Sequence, residues 1–121
     1  MEHLSDAFDA VAAYFNVLSE PTRLRIMHCL CQTEKTVSQI VEETGGTQTN
    51  TSRHLGMMHR SGVLARRKQG NQVYYRAADA VMVDLCRNVC KRISERMNEK
   101  MPLRRDVLRL LPKSKRLSKA K

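Results

Sequence analysis

Two short helical patterns separated by a pair of glycines constrain the fold of this chain more than any other feature. The first pattern runs from Thr36 to Gly45-Gly46, where glycine suits the left-handed conformation that ends many helices. The second starts at Thr47, a good N-cap residue, and ends at Ser61-Gly62. The expected buried positions of the two helices are Val37, Ile40, Val41, Leu55 and Met58. Two short helices joined by a tight glycine turn are typical of a helix-turn-helix.

The hydropathy pattern changes its period directly after Gly62. Residues 63–67 and 72–76 have the pattern of two strands, and Gln69-Gly70-Asn71 between them consists of turn-forming residues. A β-hairpin directly after the second helix of a helix-turn-helix forms a wing. The sequence therefore predicts a mainly α-helical fold with a β-hairpin wing, a winged helix-turn-helix.

Amphipathic helices are predicted on both sides of the winged unit. The apolar residues of the first helix recur at spacings of three and four, and a long helix capped by Asp79 carries a second stripe until Pro102 ends or kinks it. The stripes contain Leu4, Ala7, Phe8, Val11, Ala12, Phe15 and Leu18, then Met82, Leu85, Cys86, Val89, Cys90, Ile93 and Met97. Because the winged unit alone cannot cover both stripes, we expect a symmetric dimer through the first and last helices.

The connection from the first helix to the helix-turn-helix contains another helix. Ser19 is its expected N-cap, and Pro21 fits its first turn. One face of this helix is expected to carry Leu24, Met27 and Leu30, with Ile26 beside them. Residues 32–35 are interpreted as a polar link. After Pro102, Leu103, Val107, Leu110 and Leu111 predict one more short helix, and the chain beyond Pro112 is expected to be disordered.

The length of 121 residues suits one domain, and 41% hydrophobic and 28% charged residues are typical of folded soluble proteins. No apolar run approaches the roughly 20 residues of a membrane helix. The first six residues lack the basic and apolar regions of a signal peptide. We therefore expect a cytoplasmic protein with a winged helix-turn-helix and dimerisation domain at residues 1–101. A basic, partly disordered extension is expected at residues 102–121.

The net charge of +10 is distributed unevenly along the chain. Residues 1–60 contain five Lys/Arg and seven Asp/Glu, a net charge of −2, whereas residues 61–121 contain 17 and five, a net charge of +12. A strongly basic protein favours a polyanionic partner, most often nucleic acid.

Five segments carry a family pattern when they are taken together in chain order. They are LSEPTRLRI at 18–26, VSQI at 37–40, SRHL at 52–55, SGVL at 61–64 and QVYYR at 72–76. With them the chain resembles the ArsR/SmtB family of winged-helix repressors over roughly residues 8–95. Members of that family are typically dimers that leave operator DNA when a metal, a metalloid or a reactive sulfur species acts on them. The resemblance implies this function here, with no enzymatic activity.

Candidate DNA contacts come from the second helix of the helix-turn-helix and from the wing. Gln and Asn can read adenine, Arg can read guanine, and short hydroxyls can approach base edges or phosphates. Basic wing residues should meet phosphates or a minor groove. The expected contacts are Gln48, Thr49, Asn50, Ser52, Arg53 and His54 from the helix, and Arg66, Arg67, Lys68 and Gln72 from the wing. His54 is expected to point either at the DNA or back toward the wing.

Four cysteines form the candidate sensing site, and in a reducing cytosol they should be free thiols. Cys86 and Cys90 are four residues apart on one helix face and could hold a soft metal or metalloid ion. Trigonal As(III) needs a third thiol, which would come from Cys29, Cys31 or the other subunit. Cys29 and Cys31 point to different faces, so one of them is expected to join the pair, and Cys31 shares a face with His28. Cys86 and Cys90, which lie within the apolar stripe of the long helix, could instead be small buried hydrophobic residues.

The family resemblance narrows the choice of inducer. The Cys-x-Cys site of the third helix and the Asp/His zinc site of the long helix are both absent here. The positions matching the persulfide-sensing cysteines are His28 and Ser94, with Cys31 and Cys90 about one turn away. As(III) or another soft ion bound by the cysteines is therefore the first hypothesis. Disulfide or polysulfide sensing is the second, and a ligand-independent architectural DNA-binding protein is the third.

Overall fold

The computed structural model describes residues 2–97 and 101–110. Two predictions fall outside these residues: the place of Leu111 in the last short helix and the disorder beyond Pro112. Met1 lies outside them as well. The elements are, in chain order, α1 (Glu2–Asn16), α2 (Pro21–Leu30), β1 (Lys35–Thr36), α3 (Val37–Thr44), α4 (Gln48–Arg60), β2 (Leu64–Gln69), β3 (Gln72–Ala77), α5 (Ala80–Arg96) and α6 (Pro102–Arg109). This is the predicted winged helix-turn-helix.

Side-chain caps define the ends of the helix-turn-helix, as the sequence predicts. Thr36 and Gln39 form a capping box at the start of α3, and Gly45 ends α3 in the left-handed conformation with φ of 77°. Thr47 accepts a hydrogen bond from the backbone N–H of Asn50 at 3.1 Å and so caps α4. The turn between the two helices is therefore specified locally on both sides.

The predicted cap of α2 is wrong by one residue. The Glu20 carboxylate, rather than the Ser19 hydroxyl, accepts a hydrogen bond from the backbone N–H of Arg23 at 3.1 Å. The Ser19 hydroxyl donates to the carbonyl of Asn16 at 2.8 Å instead, and thereby satisfies a carbonyl in the last turn of α1. Pro21 occupies the first turn of α2, as predicted.

The wing belongs to a sheet of three antiparallel strands in the order β1-β3-β2. Strands β2 and β3 pair from Leu64 opposite Ala77 to Gln69 opposite Gln72, and the turn at Gly70 has a positive φ of 63°. Strand β1 begins at Lys35, the last residue of the predicted polar link, and pairs Lys35 with Tyr75. A two-residue strand has no periodicity, so the sequence pattern did not reveal it.

The core lies where α2, α3, α4 and the start of α5 meet the sheet. Its fully buried side chains include Ile26, Ile40, Leu55, Met58 and Met82. Gly46 allows the turn before α4 to pack closely, since a Cβ there would lie 3.1 Å from Oγ1 of the buried Thr51. Leu24 lines the same cavity as Met27, but its side chain is 41% exposed in the single chain.

The apolar stripe of α1 is exposed in the single chain. Leu4, Val11 and Phe15 are more than half exposed, and Phe8 is 67% exposed. Val89 and Ile93 of α5 are also exposed. Helix α6 folds back on α5, where Nε of Arg104 donates to the carbonyl of Ser94 at 2.8 Å. None of the helices in residues 2–97 and 101–110 is long and apolar enough to cross a membrane.

Candidate nucleic-acid interface and cysteine cavity

The first two turns of α4 present polar side chains to solvent. Gln48, Thr49, Ser52 and Arg53 are exposed, and Asn50 is half-buried. Oδ1 of Asn50 accepts a hydrogen bond from Nη2 of Arg53 at 2.5 Å, so the two side chains brace each other before any ligand binds. This face offers amide, hydroxyl and guanidinium groups, which are the groups that read base edges in a major groove.

His54 does not belong to this exposed face. Its side chain is 5% exposed, and its Nδ1 lies 3.3 Å from Nη1 of Arg23. Its Nε2 lies 3.9 Å from the carboxylate of Glu20. Both predicted orientations, toward DNA and toward the wing, are therefore wrong, because the ring packs under α4 against the start of α2.

The wing carries the predicted polar residues on its surface. Arg66, Arg67, Lys68 and Gln72 are all exposed. Nη1 of Arg66 donates to the hydroxyl of Tyr75, the residue opposite it on β3, at 3.4 Å. The strand register thus places cationic side chains along a hairpin that follows directly after α4.

Arg67 is held by groups that sequence reasoning missed. Its guanidinium lies over the ring of Tyr74 at 4.5 Å and donates from Nη2 to Glu34 at 2.7 Å and from Nε at 2.9 Å. The bidentate pair lowers the pKa of the Glu34 carboxyl. Glu34 and Arg67 are far apart in sequence, and no spacing pattern could have paired them.

All four cysteines line one cavity of about 660 Å³ between α2 and α5. The rest of its wall is mainly apolar and includes Leu24, Met27, Val83 and Val89. The ends of α1 and α6 close two sides through Phe15 and Leu110. The thiols therefore lie in a mainly apolar cavity that is bordered by the ends of α1 and α6.

Cys31, the residue directly after α2, lines the same cavity as the pair on α5 and lies close enough to Cys86 to affect its pKa. Burial, followed by the neighbouring sulfurs of Cys90 and Cys31, raises the pKa of Cys86 to about 11, because thiolates close together would repel one another. Burial also raises the pKa of Cys90. The thiols of Cys90 and Cys31 thus lie close enough to affect the pKa of Cys86, and both thiols on α5 are protonated at neutral pH.

Cys29 belongs to a different group of side chains. Its Sγ donates to Oε1 of Glu43 at 3.4 Å, and Nζ of Lys35 lies 3.8 Å from the same sulfur. Burial and the hydrogen bond to Glu43 raise the pKa of Cys29 to about 11. Cys29 lines the same cavity as the α5 pair, but its sulfur contacts Glu43 and Lys35, and only Cys31 is among the groups that affect the pKa of Cys86. That one of the two, Cys29 or Cys31, joins the α5 pair stays a prediction.

His28 does not extend the thiol group. Sγ of Cys31 donates to the backbone carbonyl of His28 at 3.3 Å, whereas the His28 side chain is exposed. In the part of the chain that the structure describes, no three His, Cys, Asp or Glu side chains are grouped closely enough to hold a metal ion. A trigonal site built from the cysteines of one chain is therefore not assembled.

Comparisons with known proteins agree with this geometry. The profile described as "Bacterial regulatory protein, arsR family" matches residues 20–66, which extend from the cap of α2 into the wing. The crystal structure of Mycobacterium tuberculosis Rv0081 is 30% identical, covers 72% of this chain and 91% of its own, and superposes with a TM-score of 0.65. This chain belongs to the ArsR family.

Two further relatives of this ArsR-family chain indicate what such proteins do. A probable mercury resistance operon repressor of Streptomyces lividans is 32% identical over 83 residues, which are 64% of this chain and 66% of the relative. The match thus spans just under two thirds of that curated protein. The homodimeric winged helix-turn-helix DNA-binding domain Mb0332 of Mycobacterium bovis is 28% identical, covers 80% of this chain and 90% of its own, and has a TM-score of 0.70.

Proposed function

We propose that this ArsR-family protein is a homodimeric transcriptional repressor that acts in the cytoplasm on double-stranded operator DNA. The observation that carries the proposal is the exposed polar N-terminal half of α4 together with the cationic wing, which follows this helix in the chain and packs against it. The reading residues are Gln48, Thr49, Asn50, Ser52 and Arg53, and the phosphate-binding residues are Arg66, Arg67, Lys68 and Gln72. His54, which is buried, is removed from the set.

The exposed stripes of α1 and α5 support the dimer. Phe8 and Phe15 of α1 and Val89 and Ile93 of α5 leave a large apolar surface in water, and a second copy would remove it. A two-fold dimer also suits a palindromic site, because each protomer supplies one recognition helix. Phe8→Asp should therefore give monomers in sedimentation analysis and should weaken DNA binding.

We propose that the inducer is thiol-reactive and acts on Cys31 and Cys86, with Cys90 beside them. A soft ion that accepts two thiolates, such as Hg(II), fits the group present in one chain. The similarity to a mercury resistance repressor supports the same class of inducer. As(III), the first hypothesis from sequence, would need a third thiolate, for which the candidates are Cys90 and a cysteine of the second subunit.

A sulfur-based inducer is the second candidate, and the position of Cys31 near Cys86 supports it. The two thiols could reduce a polysulfide. For the simplest case, HSSH, the thiols lose two protons and two electrons, a Cys31–Cys86 disulfide forms, and two molecules of H₂S leave. A cross-link from α2 to α5 would change the relation between the recognition helix and the dimer helix.

Fluorescence anisotropy with a duplex selected from a random-sequence library, called here the selected duplex, tests both parts of the proposal. We expect salt-sensitive binding that is lost on addition of Hg(II) or polysulfide. Cys86→Ser and Cys31→Ser should keep DNA binding and lose the response. Cys29→Ser is the matched control and should respond as the unchanged protein does. A response that survives both Cys86→Ser and Cys31→Ser would exclude this site, and equal affinity for random DNA would favour an architectural protein.

A further inference from the structure

A buried arginine joins α2 to the end of α1. Arg23 is 9% exposed, and its Nε donates to the carbonyl of Val17 at 2.7 Å while its Nη2 donates to the carbonyl of Asn16 at 2.9 Å. The last carbonyls of a helix lack partners within the helix and carry partial negative charge. The guanidinium adds a donor to the Asn16 carbonyl, which Ser19 also binds, and binds the Val17 carbonyl just after α1, and so it fixes the end of α1 against α2.

The same guanidinium reaches the recognition helix. Its Nη1 lies 3.3 Å from Nδ1 of His54 on α4. Because a guanidinium can only donate hydrogen bonds, Nδ1 of His54 must accept, and the ring is neutral with its proton on Nε2. A single side chain on α2 therefore connects the end of α1 to the underside of α4.

We propose that Arg23 and His54 are positioning residues that set the orientation of α4 relative to α1, and that protonation of His54 breaks this connection and weakens DNA binding. The inference rests on the proposed function, in which α4 reads DNA and α1 belongs to the dimer interface. Protonation of Nδ1 removes the only lone pair that the Arg23 guanidinium can use on the ring. It also places a second positive charge beside that guanidinium.

The charged groups around His54 determine when the connection breaks. Arg23 from α2 and Arg53 on α4 both disfavour the imidazolium, whereas Glu20 at the start of α2 favours it. Burial is the largest influence, and the pKa of His54 is lowered from the usual 6.5. The connection is therefore intact at neutral pH and is lost on acidification. The protonated ring can then turn its Nε2–H toward Glu20, which lies 3.9 Å away.

A buried histidine with a lowered pKa also affects folding. The unfolded chain takes up a proton at the ordinary histidine pKa, whereas the folded chain resists it. The neutral ring therefore contributes its full stability when the pH is above the ordinary histidine pKa. This contribution is lost as the pH falls below that value toward the lower pKa of the folded state. This effect requires no DNA and can be measured on the free protein.

The test compares His54→Asn with the unchanged protein. Asparagine places an amide oxygen near the position of Nδ1, so it can accept from Arg23 but cannot be protonated. Because the pKa of His54 is lowered, the affinity of the unchanged protein for the selected duplex should fall less than about tenfold between about pH 7.5 and about pH 5.5, and should fall further at lower pH. His54→Asn should bind with similar affinity at both pH values. His59→Asn, on the same helix, is the control and should keep the full acid response.

Thermal unfolding of the free protein provides an independent readout. On acidification the melting temperature of the unchanged protein should fall more than that of His54→Asn, and His54→Gln serves if the asparagine variant does not fold. Equal acid sensitivity of both proteins, in affinity and in melting temperature, would overturn the inference. Failure to bind the selected duplex at any pH would reject the proposed function, while the unfolding experiment would still test the connection.

Discussion

The hydroxyl of Tyr14 on α1 donates a hydrogen bond of 2.9 Å to Oδ2 of Asp79, and the other oxygen of the same carboxylate accepts from the backbone N–H of Met82 at 3.0 Å. One carboxylate therefore caps α5 and holds α1 against it. The two helices proposed to form the dimer interface are connected within the protomer by this contact, at the point where the wing leads into α5.

Tyr14→Phe should destabilise the protein by about 1–2 kcal/mol, because it removes a hydrogen bond to a charged acceptor. Burial and the Asp79 carboxylate raise the pKa of Tyr14 to about 12. The hydroxyl therefore contributes stability below the usual tyrosine pKa of 10.0, and this contribution disappears as the pH rises toward 12. Urea unfolding measures the first effect. Ultraviolet titration should show one tyrosine that ionises at an unusually high pH and that is missing in the variant. If that ionisation persists in the variant, the raised pKa does not belong to Tyr14.

Glu34→Gln should release the Arg67 guanidinium for contact with a phosphate. Stability should change by less than about 1 kcal/mol, since both side chains are partly exposed. Affinity for the selected duplex should rise, and the slope of its salt dependence should steepen by up to about one charge. Asp106→Asn removes the same charge from a pair with Arg109 on α6 and is the control. If Glu34→Gln and Asp106→Asn raise the affinity equally, the gain comes from net charge and not from the release of Arg67.

Alkylation of Cys86 should be slow at neutral pH. Its pKa of about 11 leaves roughly a hundredfold less thiolate than an ordinary cysteine pKa of 9.0 would. The rate in the folded protein should keep rising to about pH 11, whereas in urea it should level off earlier. Iodoacetamide labelling followed by peptide mass analysis measures this for each cysteine. A folded-state profile that levels off near pH 9 would contradict the burial of this thiol.

Two glycine-to-alanine changes should alter the free energy of unfolding in opposite directions. Gly45→Ala should lower stability by about 1 kcal/mol, because a φ of 77° strains any residue that has a Cβ. The cost comes from the backbone alone, since the added Cβ would have no atom within 4 Å. Gly56→Ala inside α4 should stabilise by about 0.5–1 kcal/mol through helix propensity. Its Cβ would approach only the flexible end of Arg60, at 3.3 Å. Urea unfolding measures both, and equal signs would contradict this account of the turn.

Thr51→Val should be neutral or stabilising by up to about 1 kcal/mol. Oγ1 of Thr51 is fully buried and has no hydrogen-bond partner among the described residues. Replacing an unsatisfied hydroxyl by a methyl group removes a desolvation cost at nearly constant shape. Thermal unfolding measures the effect. A loss above about 1 kcal/mol would mean that the hydroxyl has a partner, such as a bound water.

The local parts of the fold could be predicted because their causes are local. Thr36, Gly45, Thr47 and Asp79 act on backbone groups within four residues of themselves, so sequence spacing is sufficient to identify them. Strand β1 depends on pairing with β3, about 40 positions along the chain. No local pattern carries that information.

The candidate site divides in the same way. The exposed residues at the start of α4 and in the wing follow from helix and hairpin geometry, and the separation of Cys29 from Cys31 follows from their spacing. The burial of His54 against Arg23, the pairing of Glu34 with Arg67, and the association of Cys31 rather than Cys29 with Cys86 depend on how distant helices pack.

The sequence by itself thus determined the order of the helices and of the two wing strands, the caps of α3, α4 and α5, and the face of α4 that meets solvent, because backbone hydrogen bonding and hydropathy period act over a few residues. Only the tertiary structure decided which polar groups are buried together. Those partners lie as far apart as 65 positions in the chain, as Tyr14 and Asp79 do, and are joined by packing that no single segment specifies.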